Sequence, residues 1–302
     1  MANAFLFPGH GSEQPGMGKV LYDKSEAARK LYQLADKITG VNLTETCFSV
    51  DEKLVFRPLI AFPAIFLNSL AHYLVLTKEQ GIRSGAVAGY GIGEYAALVA
   101  SRYFDFPTGL LRVIELATWV EKMPSYLRTV IQVDNTPANL VIKTIISADP
   151  KVADIAAVNR PDQVVLVTAE DCIDEVKQLL IEAAEKNKAK EPQFDCWEND
   201  KGICYHSSGY YGAMQHFNAF SNRYNSAIPS LPFFSCITAE KTDDKMTIAS
   251  NLHNLIKKPI LWSGVIRNMA RAGYGNFYAL EPSDFLTSLM GEKLRERMEK
   301  NV

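Results

Sequence analysis

Blocks of apolar and polar positions along the chain predict strands and helices in succession. The chain begins with the apolar run AFLF, continues with the glycine-rich loop PGHGSEQPGMG, and then places apolar residues at helical spacing from about 20 to 38. A second helix is predicted from Pro63 to about Lys78. The run GAVAGYGIGEYAALVAS predicts a buried strand over 85–88, a glycine turn and a helix. Strand–turn–helix units in series are typical of an α/β fold with a parallel sheet.

The pattern changes between about 125 and 195. TVIQV, VADIAAV and QVVLVTA are short strand candidates there, and DCIDEVKQLLIEAAEKNKA predicts a strongly amphipathic helix. This segment is therefore expected to form a small α+β insertion. Beyond it the pattern predicts a strand at CYHSS, a helix over about 211–224, a strand at PFFSCIT and a final helix over about 283–300.

Composition and charge exclude several functional classes. The 302 residues are 47% hydrophobic and 22% charged, which suits a globular chain with a substantial core. Lys and Arg number 32 against 34 Asp and Glu, so a net charge of −2 argues against a general nucleic-acid or membrane-surface binder. We find no apolar run of about 18 residues, and so expect no membrane span. Five scattered cysteines without a C-x-x-C pair favour neither a zinc site nor a disulfide framework, and fit the reducing cytoplasm.

The segment G-Y-G-I-G-E-Y, residues 89–95, has the build of a nucleophile elbow. In the G-x-S-x-G elbow, glycines allow a tight strand-to-helix turn and the middle residue carries the nucleophile. Here the middle residue is Gly91. A serine-type acyl-enzyme therefore cannot form at this position.

Several motifs resemble those of malonyl-CoA:acyl-carrier-protein transacylases and polyketide-synthase acyltransferase domains. FLFPGHGSEQPGMG is similar to the F-x-F-P-G-Q-G-S-Q…G-M-G opening of that family, and AGYGIGEYAALVAS is similar to its A-G-H-S-L-G-E-Y-x-A-L-V-A-S/A-G segment. AAVNRPDQVVLV, CYHSS and KKPILWSGV continue the resemblance, which spans about residues 4–290. It implies an α/β-hydrolase-like large domain over 1–124 and 196–302, with a ferredoxin-like small domain inserted at 125–195.

This sequence departs from the family pattern at functional positions. The departures are Gly91 for the nucleophilic serine, Tyr90 for the histidine before it, His10 for the loop glutamine, Ala117 for the arginine that pairs with a malonyl carboxylate, and Lys258 for the N-P-V asparagine. The resemblance retains the general-base histidine as His206 in CYHSS. Loss of the serine removes the covalent route, and loss of the arginine removes a bidentate clamp for malonate.

The resemblance nevertheless implies a usable remnant of the site. Backbone amides of Ile92 and His10 match the oxyanion-hole positions, and amides do not depend on the identity of the side chain. The imidazoles of His10 and His206 and the phenol of Tyr90 form a set able to exchange protons with a bound thioester. Substrate-binding positions are expected at Gly11, Ala117 and Lys258.

Three functions follow from these residues. The first is a homologue that binds acyl carrier protein, or its acyl thioester, without transferring malonyl groups. The second is an enzyme with non-covalent acid–base chemistry on a carrier-bound chain: hydrolysis, elimination or cyclisation. The third is transacylation by a substitute nucleophile near His206, for which the candidates are Cys204, Ser207 and Ser208.

The resemblance also implies the ligands and partners. Phosphopantetheine or coenzyme A thioesters would be bound, with no metal and no tightly held cofactor. Acyl carrier protein or polyketide synthase modules are the expected partners, with no nucleic acid and no membrane. We expect a cytoplasmic monomer.

Overall fold

The computed structural model describes residues 1–122, 129–149, 151–198, 206 and 226–290. Its strands are β1 (Ala2–Phe7), β2 (Ala86–Gly89), β3 (Thr129–Asp134), β4 (Ala153–Arg160), β5 (Gln163–Thr168), β6 (Gln193–Glu198), β7 (Phe233–Phe234), β8 (Lys241–Thr242) and β9 (Tyr274–Ala279). Its α-helices are α1 (Lys19–Lys24), α2 (Glu26–Thr39), α3 (Leu43–Cys47), α4 (Glu52–Val55), α5 (Pro58–Leu74), α6 (Gly93–Ala100), α7 (Phe106–Glu121), α8 (Ala138–Ser147), α9 (Ile173–Lys186), α10 (Lys245–His253), α11 (Trp262–Arg271) and α12 (Ser283–Ser288).

The chain divides into two compact units. Unit 1 comprises Met1–Lys122, Ala219–Leu252 and Val265–Val302, and unit 2 comprises Met123–Asn218 and His253–Gly264.

A mixed five-stranded sheet, in the order β8-β7-β2-β1-β9, forms the centre of unit 1. β1 runs parallel to both β2 and β9, and β2 runs parallel to β7, as the strand–turn–helix pattern predicts. Phe7 lies opposite Gly89, so β1 and β2 end at the same level. The loops that follow them therefore leave the same edge of the sheet, which is where ligands bind in folds of this kind.

The helical stretch predicted over 20–38 is two helices rather than one. α1 ends and α2 begins at Ser25, whose side chain accepts a hydrogen bond from the Ala28 N–H at 3.0 Å. Such an N-cap satisfies a backbone donor that a continuous helix would bond internally. α1 buries none of its residues, and Val20, which fits the apolar spacing, is exposed.

The second predicted helix begins earlier than Pro63. α5 starts at Pro58, where proline at the first helical position loses no intrahelical bond, and Pro63 lies inside the helix. α5 continues into a π-helical turn over Val75–Glu79. Sequence analysis finds no uninterrupted apolar run of about 18 residues, but Pro58–Glu79 is long and apolar enough to cross a membrane by length and composition alone, with a mean hydropathy of 1.8 over 18 residues. That window is 67% buried inside the protein, as for a core helix.

Unit 2 is built on an antiparallel sheet in the order β4-β5-β3-β6. Its elements follow one another as β3-α8-β4-β5-α9-β6, the succession of a ferredoxin-like arrangement. The apolar faces of the strands and of both helices close one core, formed by residues such as Ile131, Val133, Val141, Val164, Leu166 and Leu180. β3, β4, β5 and α9 coincide with the three strands and the amphipathic helix that the sequence predicts in this segment, whereas α8 and β6 were not predicted.

The predicted boundary at 195 lies inside a strand. β6 pairs with β3 along its whole length, with Cys196 opposite Ile131, so a division after 195 would cut a hydrogen-bonded ladder. His253–Gly264 also belongs to unit 2, because Ile260 bridges to Ala157 of β4. The apolar and polar pattern of the sequence gives no sign that residues 253–264 pack with unit 2.

Four elements were predicted in the last third of the chain. Two of them are shorter in the structure than predicted, and two lie wholly or largely outside the described residues. The strand at PFFSCIT is confined to β7, since a turn follows in which the Ala239 N–H donates to the Ser235 carbonyl at 2.8 Å. The final helix is described only as α12. The predicted helix over 211–224 and the CYHSS strand, apart from His206, lie outside the described residues.

Candidate active site

The turn between β2 and α6 has the form of a nucleophile elbow. The Tyr90 N–H extends the ladder by donating to the Phe7 carbonyl at 2.9 Å, and the Gly93 N–H donates back to the Tyr90 carbonyl at 2.9 Å. Gly91 has a φ of 53°, in the left-handed region that non-glycine residues seldom adopt. The predicted elbow is thus present as a backbone, with a hydrogen atom where the nucleophile would project.

The loop after β1 lies directly against this elbow. A Cβ atom on Gly9 would lie 2.0 Å from the Tyr90 carbonyl oxygen, and one on Gly93 would lie 2.4 Å from the Phe7 carbonyl oxygen. Only glycine permits backbones to approach this closely. The loop that continues into His10 and Gly11 is therefore held against the elbow at Gly9.

The amide of Ile92 occupies the position expected of an oxyanion-hole donor. Ile92 is the N-cap of α6, where the helix dipole favours negative charge. The Cβ position of Gly9 is 3.5 Å from the Ile92 nitrogen, so the loop backbone passes close to this amide. The assignment of this amide to an oxyanion hole, which the resemblance implies, stays a prediction.

Tyr90 belongs to an aromatic cover over the elbow. Its ring is buried and meets Phe285 of α12 edge-on, with centroids 5.0 Å apart and planes at 85°. The same phenylalanine lies 3.2 Å from the Cβ position of Gly11. The ring of Tyr90 thus contributes packing, whatever its hydroxyl contributes to chemistry.

His10 contacts a carboxylate that sequence analysis missed. Its Nδ1 makes a short hydrogen bond with Glu13 Oε1, and Glu13 Oε2 accepts the Gly11 N–H at 2.6 Å. Glu13 is buried; burial raises its pKa, but His10 and the backbone N–H groups of Glu13 and Gly11 outweigh this, so the pKa is lowered. The sequence signal for this contact was a glutamate three residues after a histidine in the same loop.

A second buried carboxyl group lies behind the elbow. Glu94 Oε1 accepts hydrogen bonds from Ser235 Oγ at 2.8 Å and from the Cys236 N–H at 2.5 Å. Burial raises the pKa of Glu94 to about 7, although these hydrogen bonds oppose the shift. The glutamate therefore ties α6 to the segment after β7, which lies 141 residues further along the chain.

Cys236 lies near the empty nucleophile position without replacing it. Burial and the neighbouring Glu94 raise the pKa of its thiol well above the ordinary value, and a hydrogen bond with the Gly91 backbone offsets only part of this rise. A thiol is nucleophilic as the thiolate. Cys236 is thus a protonated, fully buried packing residue.

His206 and Lys258 meet in unit 2. The His206 N–H donates to the Ile256 carbonyl at 2.8 Å, and its ring Nδ1 lies 3.1 Å from the Lys258 carbonyl oxygen. Since a carbonyl only accepts, Nδ1 carries the proton in this contact and Nε2 is the basic atom. Lys258 thus contacts the histidine through its backbone. The proposed substitute nucleophiles Cys204, Ser207 and Ser208 lie outside the described residues.

Ala117 places an apolar methyl group where the resemblance expects a guanidinium. It is fully buried in α7. Arg112, on the same helix, is also buried and donates from Nη1 to Glu115 Oε2 at 2.7 Å. Within the described part of the chain, no group of three or more His, Cys, Asp or Glu residues is placed to hold a metal ion.

The family model described as "Acyl transferase domain" matches residues 4–301. The chain belongs to the acyl transferase domain family. It is 26% identical over 290 residues to the polyketide biosynthesis malonyl CoA-acyl carrier protein transacylase PksC of Bacillus subtilis, with 95% of each chain covered. It is 28% identical over 292 residues to BaeC of Bacillus velezensis, which carries the same description, with 95% of this chain and 94% of that one covered.

A solved structure supports this acyl transferase architecture. MCAT from Streptococcus pneumoniae has a TM-score of 0.85 and 26% identity, covering 98% of this chain and 94% of its own. The resemblance and the α/β fold class predicted from the motifs are thereby confirmed.

The close backbone contact at Gly93 predicts that one added methyl group there lowers the stability of the fold severely. Gly93→Ala places Cβ against the carbonyl oxygens of Phe7 and Pro8, at 2.4 and 2.5 Å, and neither can move without distorting β1. We expect a loss of about 3 kcal/mol or more in the free energy of unfolding, measured by denaturant titration. Gly40→Ala, where only the left-handed backbone opposes the methyl group, is the control at about 1–2 kcal/mol. Equal losses in the two variants would contradict the contact.

Glu94 predicts a pH dependence of stability. Its carboxyl group releases a proton near pH 7 when folded and near 4.5 when unfolded, so between these values the folded state holds more protons. The unfolding free energy should therefore fall as pH rises through this window, by up to about 1.4 kcal/mol per pH unit. Glu94→Gln keeps an accepting oxygen and cannot ionise, so its denaturation midpoints should show a flatter slope. The exposed Glu52→Gln is the control, and identical slopes in wild type and Glu94→Gln would refute the assignment.

Proposed function

We propose that this protein is an acyltransferase-family homologue of polyketide or fatty-acid biosynthesis that binds acyl carrier protein or its acyl thioester without ordinary malonyl transfer. The main support for this proposal is the elbow, whose turn is intact although Gly91, with a φ of 53°, stands where the family has the nucleophile. The helix N-terminus at Ile92 and the loop at His10 still offer a polarised place for a thioester carbonyl.

The named relatives support the substrate class. PksC and BaeC are described as malonyl CoA-acyl carrier protein transacylases of polyketide biosynthesis. Their likeness over almost the whole chain supports a phosphopantetheine or coenzyme A thioester as ligand, and carrier protein or polyketide synthase modules as partners. The cytoplasmic location and the monomeric state stay predictions.

Three features of unit 1 argue against malonyl transfer. Gly91 has no side chain to acylate, Ala117 has no charge to pair with a malonyl carboxylate, and the Cys236 thiol is buried and protonated. An acyl-enzyme at the elbow accordingly lacks both an acceptor and a clamp.

Intact-protein mass spectrometry tests the proposal directly. Holo-carrier protein is mixed with this protein and a panel of acyl-CoAs, and pre-acylated carriers are treated in parallel. We expect co-elution with the carrier and no gain of malonyl mass on either protein beyond a protein-free control. Failure to bind any carrier, or rapid malonylation of the carrier, would overturn the proposal.

A second candidate function is hydrolysis of a carrier-bound thioester, and the His10–Glu13 contact favours it. A water oxygen would attack the thioester carbonyl carbon while one of its protons passes to an imidazole nitrogen of His10 or His206. The C–S bond then breaks, the sulfur receives that proton, and the products are a carboxylic acid and a free thiol. Tyr90 is the further candidate acid in this set. Mass loss from pre-acylated carriers would reveal this reaction in the same experiment.

Restoring the hydroxyl alone should not restore transfer. In Gly91→Ser the serine must adopt a left-handed backbone, which costs roughly 1–2 kcal/mol, while Tyr90 and Ala117 remain unchanged. We expect little or no malonyl-enzyme after incubation with malonyl-CoA, measured by intact mass. Gly91→Ala, which has the same backbone cost without a hydroxyl, is the matched control. Robust malonyl transfer by Gly91→Ser would show that the rest of the pocket is competent.

A further inference from the structure

The loop after β1 contains a histidine and a carboxylate that act on each other. We propose that Glu13 is a positioning residue that keeps the proton of His10 on Nδ1, so that Nε2 is the atom able to accept a proton. The inference rests on the second candidate function for its chemical use. The tautomer of His10 can be determined whether or not the protein hydrolyses a thioester.

Glu13 is fixed from both ends of its carboxylate. Oε1 contacts His10 Nδ1, and Oε2 accepts the Gly11 N–H at 2.6 Å. The side chain of Glu13 is 1% exposed, whereas that of His10 is 30% exposed. The carboxylate is therefore an anchored, water-excluded group, and the imidazole extends from it toward the surface of the loop.

The chemistry of the pair selects one tautomer. An ionised carboxylate accepts hydrogen bonds and cannot donate, so the nitrogen that contacts it carries the proton. In a neutral imidazole the other nitrogen, Nε2, then holds the lone pair. Hydrolases with a Ser-His-Asp site use a buried carboxylate in this way to orient their base.

The position of the pair also suits proton transfer at the elbow. In the same loop, a Cβ atom added to Gly9 would lie 3.5 Å from the Ile92 nitrogen, and the His10 ring packs edge-on to Phe62, with centroids 6.1 Å apart. The loop that bears the base is thereby held at the amide that would polarise a thioester carbonyl.

Both members of the pair replace glutamines of the motif that this loop resembles. Where F-x-F-P-G-Q-G-S-Q has two neutral amides, this chain has His10 and Glu13. The two replacements contact each other, as expected for residues that work as a unit. In the competing interpretation, an ion pair only stiffens the loop. The imidazolium would then carry a proton on both nitrogens, so the protonation of Nε2 distinguishes the two.

The first measurement is nitrogen NMR of the full-length protein with labelled histidine, without substrate. His10→Gln identifies the His10 signals. In wild type we expect the neutral, Nδ1-protonated form, and a predominantly Nε2-protonated or doubly protonated ring would overturn the proposal. This measurement depends on no variant of Glu13.

Glu13→Gln sharpens the test. The Gly11 N–H can only donate, so the single amide oxygen of glutamine should turn toward it and the NH₂ group should face His10. Nδ1 must then accept, and the proton moves to Nε2. We expect the tautomer to invert in Glu13→Gln and to stay unchanged in Glu26→Gln, which removes an exposed carboxylate paired with Lys30. An unchanged tautomer in Glu13→Gln would refute the positioning role.

Turnover is measured separately on pre-acylated carrier protein. If the wild type hydrolyses the thioester, Glu13→Gln should lower kcat on the order of 10²-fold or more with little change in KM, because the base presents a protonated nitrogen. Equal kcat in the two proteins would overturn the role of Nε2 as the acceptor. If the wild type hydrolyses nothing, the second candidate function fails, while the tautomer result still decides the effect of Glu13 on His10.

Discussion

The close approach of two loop backbones at one edge of the unit 1 sheet is the constraint on which the candidate site depends. β1 and β2 are parallel and end together at Phe7 and Gly89, so the segments that follow them leave side by side. Glycine at position 9 lets the first segment lie against the Tyr90 carbonyl. None of these contacts uses the side chain at position 91. The turn, its amide and its helix dipole therefore persist without a nucleophile.

Buried polar contacts secure this edge from behind. Glu94 anchors the start of α6 to Ser235 and Cys236, and its complete burial shields the carboxyl group from water and raises its pKa. An anchored elbow holds the Ile92 amide in one direction, which is the condition for electrostatic stabilisation of a developing oxyanion. The backbone and the buried Glu94 carboxyl group, rather than a side chain at position 91, hold this amide in place.

Sequence reasoning captured features that depend on local spacing and missed those that depend on distant contacts or loop geometry. Glycine spacing was enough for the elbow, and apolar alternation was enough for β3, β4 and β5. The contact of Glu94 with Ser235 joins residues 141 positions apart, which no local pattern encodes. The His10–Glu13 contact requires the left-handed backbone of Gly11, with φ 99°, which folds the loop back on itself. The division of α1 from α2 was more accessible, since Ser25 followed by Glu26 is a recognisable helix start.

The residues that differ from the family pattern are of two kinds, small uncharged residues and titratable residues. Positions 91 and 117 carry small, uncharged residues, as expected if the protein binds its carrier without malonyl transfer, as we propose. Positions 10 and 13 instead became titratable and contact each other. Burying the Glu13 carboxylate disfavours its charged form, and only the neighbouring imidazole and two backbone N–H groups make the ionised state stable. A loop that only binds a carrier can keep this pair as a structural contact, whereas thioester hydrolysis, the second candidate function, would use it as a proton acceptor.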